Sequence, residues 1–155
     1  MSERLRHMYE LYIRTTPEKL WDTITRGELT KQYFYGGAAH SDWRAGSRYE
    51  LVDEDGKQML FGDVIESDPP RKLVHTFNVG YDPVRERDDP PSRVTWEIER
   101  MGEVCKLTLF HEHFAGETKT SRETLTGWNP VLSGLKTLLE TGRPLIIERP
   151  AASSA

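Results

Sequence analysis

The stretch GWNPVLSGLKTLLETGRPL, Gly127 to Leu145, constrains the fold of this chain more than any other. On a 3.6-residue period Leu125, Trp128, Val131, Leu132, Leu135, Leu138 and Leu139 share one arc, with Asn129, Ser133, Lys136 and Glu140 opposite. The pattern predicts the core of one long C-terminal helix. Yet Gly127, Pro130 and Gly134 interrupt it. Inside a helix Pro costs roughly 3 kcal/mol and Gly roughly 1 kcal/mol relative to Ala, so tertiary contacts must hold this helix together. The spacing places Pro130 on the solvent side and both glycines at the edge of the buried arc. There the glycines would either let a neighbouring element approach closely or leave space at the mouth of a cavity. A helix of this kind suits a curved sheet with room left beneath it.

The rest of the chain supplies the sheet. A first strand is expected over Leu5–Arg14, with Tyr9, Leu11 and Ile13 on one face. Thr16-Pro17 then reads as a helix start, a hydroxyl cap followed by the one helical position where Pro is welcome. Leu20, Trp21 and Ile24 give that short helix its apolar stripe, and Gly27 ends it. A second short helix follows over Glu28–Tyr33. From Ala38 the period changes to two, predicting strands at Ala39–Trp43, Ser47–Val52, Met59–Ser67, Arg71–Val79, Ser92–Arg100 and Val104–Phe114. The order strand, two helices, six strands, long helix predicts an α+β fold with an antiparallel sheet. A Met101-Gly102 turn would place Ile98 opposite Cys105, Trp96 opposite Leu107, Val94 opposite Leu109 and Ser92 opposite His111. One face of that hairpin is then apolar and the other polar.

Composition excludes several function classes. At 155 residues the chain is long enough to bury roughly 70% of its unfolded surface around one core. One domain is expected over residues 1–148, with a disordered tail at 149–155. No apolar run approaches the roughly 20 residues that span a bilayer, and the N-terminus lacks the pattern of a secretory signal. The single Cys105 rules out an internal disulfide and suits a reducing cytoplasm. Net charge is −4 and the basic residues are dispersed, which argues against nucleic acid as a partner. No phosphate-cradling Gly-rich loop and no Gly-x-Ser-x-Gly nucleophile motif is present.

The segments YIRTTPEKLWDTIT, SDWRAGSRYEL, FGDVIESDPPRKLVHTF, PPSRVTWEIE, LTLFHEHF and GWNPVLSGLKTLLETGRPL together resemble the domain family named for the activator of Hsp90 ATPase. That family lies within the START-like, Bet v 1-like (SRPBCC) group, and the resemblance runs from about Met8 to Leu145. It implies a helix-grip fold, in which a long C-terminal helix closes a curved seven-stranded sheet over a hydrophobic cavity. The wider group includes lipid and hormone carriers, polyketide cyclases, antibiotic-sequestering proteins and the co-chaperone itself. The implied partners are therefore a hydrophobic small molecule (lipid, polyketide or aromatic) or an Hsp90-type chaperone, with a homodimer as one assembly state. Co-chaperones carry a separate Hsp90-binding domain, for which a domain over 1–148 leaves no room.

Within such a cavity the candidate ligand-binding residues are His75, Phe77, Trp96, Leu109, His111, Trp128, Leu132 and Leu135. His75 alternates with Leu73 and Phe77; it is either a ligand donor or general base, or a core histidine satisfied by a neighbour. His111 and His113 lie two apart and are expected on one inward face. A bare His-x-His pair does not complete a tetrahedral site, so neither a metal nor another cofactor is predicted. Asp63 alternates with Phe61 and Ile65 and would be either a buried acid–base carboxylate or a solvated one. Trp21, Phe34, Trp43, Tyr49, Phe61, Phe77, Trp96 and Trp128 are placed on inward faces, and the charged loop Gly80–Pro91 would cover an opening. The leading expectation is a binding protein for a hydrophobic or aromatic ligand. A cyclase- or dehydratase-type enzyme using His75, His111 or Asp63 and a chaperone ATPase regulator are the alternatives.

Overall fold

The computed structural model describes residues 5–80 and 89–148. The expected tail at 149–155 lies outside the described residues, as do positions 81–88 of the charged loop. The chain runs β1 (His7–Ile13), α1 (Pro17–Thr25), α2 (Gly27–Thr30), β2 (Ala38–Ser41), β3 (Arg48–Val52), β4 (Gln58–Asp68), β5 (Lys72–Val79), β6 (Ser92–Met101), β7 (Val104–Glu112) and α3 (Lys119–Thr141). The strands form one antiparallel sheet of seven in the order β1-β7-β6-β5-β4-β3-β2, so the first strand pairs with the last. With α3 packed over it, this is the α+β helix-grip arrangement. No helix among the described residues is long and apolar enough to cross a membrane.

Local chemistry explains the short elements. The Thr16 hydroxyl accepts the Lys19 N–H at 3.2 Å and Pro17 occupies the first turn of α1. The second helix is shorter than expected and starts at Gly27 rather than Glu28. A Cβ on Gly27 would come within 2.6 Å of the Ala39 carbonyl, so only glycine lets α2 lie this close to β2. Thr30 ends it by turning its hydroxyl to the sheet, accepting from the Ala39 N–H and donating to the Gly37 carbonyl, both at 2.9 Å. The chain then reverses through left-handed Tyr35 (φ 51°) and Gly36 (φ 78°).

The β6–β7 hairpin keeps its expected faces and shifts its partners. Its turn is Gly102-Glu103, not Met101-Gly102, so Ile98 faces Leu107, Trp96 faces Leu109 and Val94 faces His111. Gly102 has φ 68°, the conformation a tight hairpin needs at its first turn position, and this sets the register. A shift of two residues preserves the face, which is why Trp96, Ile98, Cys105, Leu107 and Leu109 are still buried. In β4 the expected faces are reversed. Leu60, Gly62 and Val64 point inward, while Asp63 and Ile65 are exposed and Phe61 lies half-buried beneath the Arg48 guanidinium. A Cβ on Gly62 would meet the Thr76 carbonyl at 2.5 Å and Tyr49 Cε1 at 2.8 Å, so Tyr49 fills the place of the missing side chain.

α3 starts with the Thr118 hydroxyl accepting the Ser121 N–H at 3.1 Å and ends at left-handed Gly142 (φ 76°). Trp128, Val131, Leu132, Leu135 and Leu138 are buried beneath it. Leu125 is 51% exposed, against expectation, because it lies at the margin of the arc. Pro130 is half-buried rather than on the solvent side, and it has no N–H for the Thr126 carbonyl. Around this weak point other elements supply donors. The Tyr35 hydroxyl donates to the Gly127 carbonyl at 2.7 Å, and the Tyr9 hydroxyl to the Leu125 carbonyl at 2.5 Å. Further along, Lys136 Nζ donates to the Tyr12 carbonyl at 2.7 Å, and the Arg14 N–H to Glu140 Oε2 at 2.8 Å.

The two helix glycines differ in purpose. A Cβ at Gly134 would sit 3.0 Å from Tyr33 Cβ, whereas at Gly127 the nearest atom is the Tyr35 hydroxyl, at 3.9 Å. Gly127→Ala should therefore gain about 0.5–1 kcal/mol of stability from helix propensity, and Gly134→Ala should gain less or lose. Urea midpoints at constant slope will read the difference, and equal midpoints would refute this assignment.

Candidate functional site

Two indole–imidazole pairs occupy the space between α3 and the sheet. Trp96 Nε1 donates to His75 Nε2 at 3.0 Å, and Trp128 Nε1 donates to His111 Nδ1 at 3.0 Å. Indole only donates, so each receiving nitrogen must be unprotonated and each neutral ring must carry its proton on the other nitrogen. His75 then donates from Nδ1 to the Thr76 carbonyl at 2.8 Å. His111 donates from Nε2 to Ser92 Oγ at 2.7 Å, and that hydroxyl continues to the Phe77 carbonyl at 3.4 Å. The two histidines are opposite tautomers, and every ring nitrogen is used. The indoles themselves meet edge to face at 5.6 Å, joining the pairs into one unit.

Burial fixes the charge of this unit. Desolvation lowers the His75 pKa to about 4, against a smaller opposing effect of the Thr76 carbonyl. Desolvation lowers His111 to about 3, helped by His75 and His7 and opposed by Asp89. Both rings are neutral near pH 7 and weak as bases. Ser92 Oγ accepts the His111 Nε2–H and directs its own hydrogen to the Phe77 carbonyl, so the imidazole is not placed to take the serine proton and the pair is not an activated nucleophile.

The open space lies elsewhere. Beneath the middle of α3, next to His75 and Trp96, the gap between side chains is only about 20 Å³. A cleft of about 460 Å³ opens instead along the first turns of α3, against β4, β5 and the turn after α2. Among the described residues its walls are Phe34, Met59, Leu60, Phe77, Val79, Trp128 and Val131, with Tyr35, Lys119, Glu123 and Thr124 as the polar side chains. Gly127 leaves space at this mouth. Nearby, Asp89 Oδ2 accepts the Thr120 N–H at 2.7 Å and its hydroxyl at 2.6 Å, fixing the end of the charged loop to the start of α3.

The eight candidate residues are all buried, yet they divide in position. Phe77 and Trp128 line the cleft. His75 and Trp96 line the small inner gap, and Leu109, His111, Leu132 and Leu135 line neither. His113 does not share the face of His111; it follows β7 in a left-handed conformation (φ 63°) and is exposed. Asp63 is on the outer face. No three potential metal ligands gather among the described residues. Phe34, expected on an inward face, does line the cleft; Met59, Val79 and the start of α3 carry no expectation, since two strand-end aliphatics have no distinguishing period. His7 was also passed over. It pairs with His111 across β1 and β7, and Phe114 packs against both rings at 5.2 and 4.5 Å.

Residues 14–140 match the family described as Activator of Hsp90 ATPase homolog 1-like protein. The chain belongs to that family. Similar solved structures share the fold at low identity. Protein MLL2253 from Mesorhizobium loti is 23% identical with a TM-score of 0.73, covering 87% of this chain and 96% of that one. The Aha1 dimer from Colwellia psychrerythraea is 17% identical with a TM-score of 0.71, covering 89% and 98%. DynU16, a protein in the dynemicin biosynthetic locus, is 20% identical with a TM-score of 0.71, covering 90% of this chain and 48% of that one. No curated protein sequence matches this chain significantly.

Both histidine pKa values lie below the ordinary 6.5, so under pH 6.5 the unfolded chain binds protons that the folded one refuses. Stability should be full above pH 6.5 and fall as pH drops, with His75 alone accounting for about 3 kcal/mol by pH 4. Trp128→Phe should cost about 2–4 kcal/mol, because it strands the buried His111 Nδ1 and removes part of the core. Denaturant unfolding at several pH values measures both effects. A flat profile from pH 7 to 4 would contradict the neutral-pair assignment.

Proposed function

We propose that this protein binds a small hydrophobic or aromatic molecule in the cleft between the first half of α3 and the β4–β5 end of the sheet. The observation that carries this reading is the cleft itself, about 460 Å³ and walled by Phe34, Met59, Phe77, Val79, Trp128 and Val131. That size lies within the range of small-molecule sites, and polar groups confined to one side would orient a ligand. Burial at roughly 25 cal/mol per Å² of apolar surface would supply most of the affinity. The protein from the dynemicin biosynthetic locus shares this fold. Acid–base catalysis is disfavoured as the main activity. His75 and His111 are each engaged on both nitrogens and do not reach the cleft, and Asp63 faces away.

Titration with a panel of lipids, flavonoids and polyketides, followed by thermal shift and by intrinsic tryptophan fluorescence, tests the proposal. Micromolar binding is expected. Gly127→Leu, which adds bulk at the cleft mouth, should weaken it at least tenfold without loss of fold. Undiminished binding in that variant would move the site elsewhere. The family also suggests an Hsp90-type partner, for which the rate of chaperone ATP hydrolysis with and without this protein is the separate test.

A further inference from the structure

The cleft and the inner gap share four wall residues: Phe34, Leu60, Phe77 and Trp128. They form a partition one side chain thick between the two spaces. Leu60 and Phe77 are held on strands, and Trp128 is fixed by its bond to His111. Phe34 differs. It stands on the turn between α2 and β2, just before left-handed Tyr35 and Gly36, and its side chain has no polar anchor. Its ring rests edge to face on Trp128 at 5.6 Å. It also meets Tyr33 at 6.2 Å and Tyr35 at 6.5 Å; aromatic contacts of this kind are worth about 1 kcal/mol each beyond area burial, which an apolar ligand end of similar area can replace.

The walls behind the partition restrict what enters. Tyr49 donates to the Thr76 carbonyl, Trp43 to the Thr25 carbonyl and Tyr33 to the Thr23 carbonyl. His75, Trp96 and Thr30 are likewise satisfied within the protein. The inner space is therefore lined by aromatic and aliphatic surface whose polar atoms already have partners. A polar group pushed in there would lose its water without replacement.

We propose that Phe34 sets the depth of the ligand site, and that the ligand is amphipathic, entering with an apolar end that displaces Phe34 towards His75 and Trp96 while its polar end stays beside Lys119, Glu123 and Thr124. This deepens the cleft reading above and rests on it.

A homologous series tests it. The 4-alkylphenols from ethyl to decyl are titrated into the full chain by calorimetry, alongside the same compounds carrying a terminal hydroxyl on the alkyl tail. Each added methylene should raise affinity about fourfold until the accessible depth is filled. In Phe34→Ala the rise should continue to tails at least two carbons longer than in the unmodified protein. The terminal hydroxyl should cost tenfold or more for tails that reach the inner space. Phe34→Leu, which keeps an apolar contact on Trp128, should fall between the two and covers the case in which Phe34→Ala does not fold. Binding with the same limiting tail length in all three proteins would overturn the gate while leaving the cleft reading intact. So would hydroxyl-tipped tails that bind as well as plain ones. Absence of binding by every protein in the series would overturn both.

Discussion

The hydrogen bond from Trp128 to His111 is the joint on which this architecture rests. Through it α3 reaches past its apolar packing to a buried polar side chain of the sheet. An imidazole in this interior is tolerable only while neutral and fully engaged. Trp128 supplies one partner and Ser92 the other, so helix, β7 and β6 are fixed relative to one another by a single ring. Trp96 and His75 repeat the device one step further along the sheet, and the edge-to-face indoles join the two. Apolar packing would tolerate several rotations of α3. These directed bonds select one.

That selection distributes the space beneath the helix. Where the indoles and imidazoles crowd together, only a gap of about 20 Å³ is left. Towards the start of α3 the helix is supported differently. Hydroxyls of Tyr9 and Tyr35 reach carbonyls in the turn before Pro130, and Asp89 holds the Thr120 amide and hydroxyl. These contacts come from the rim, so the interior beneath that half of the helix stays open. Gly127 adds to the opening, and Gly134, one turn-pair later, is used for close approach to Tyr33. The same residue type serves opposite ends in one helix.

Much of this was legible in the sequence, for identifiable reasons. The periods of α3 and of the β6–β7 hairpin are sustained over many residues, and the Thr16-Pro17 start has a defined chemistry, so those elements were readable. A period of two cannot register a slip of two. The choice between Met101-Gly102 and Gly102-Glu103 therefore depended on a backbone angle that only coordinates reveal. β4 was misread because its inward position is Gly62, which hides the alternation of Leu60 and Val64. His113 was misread because β7 ends at Glu112 and the next residue turns left-handed. The cleft was the hardest to anticipate. Its walls come from a turn, two strand ends and a helix start, and their juxtaposition is a property of the assembled sheet.

The pairing of β1 with β7 bears on how the molecule assembles. Tyr9 lies opposite Leu109, about a hundred residues later in the chain. The hairpins from β2 to β7 join strands adjacent in sequence, the widest connection being that between Val79 and Ser92. β1 contributes nothing to the sheet until the far end of it has been made. Such closure raises the mean sequence separation of contacts, which slows folding and leaves the β7 edge exposed in the interval. The Tyr9 and Lys136 bonds between β1 and α3 can form only once that edge is closed, so covering the edge and completing the helix's supports are coupled.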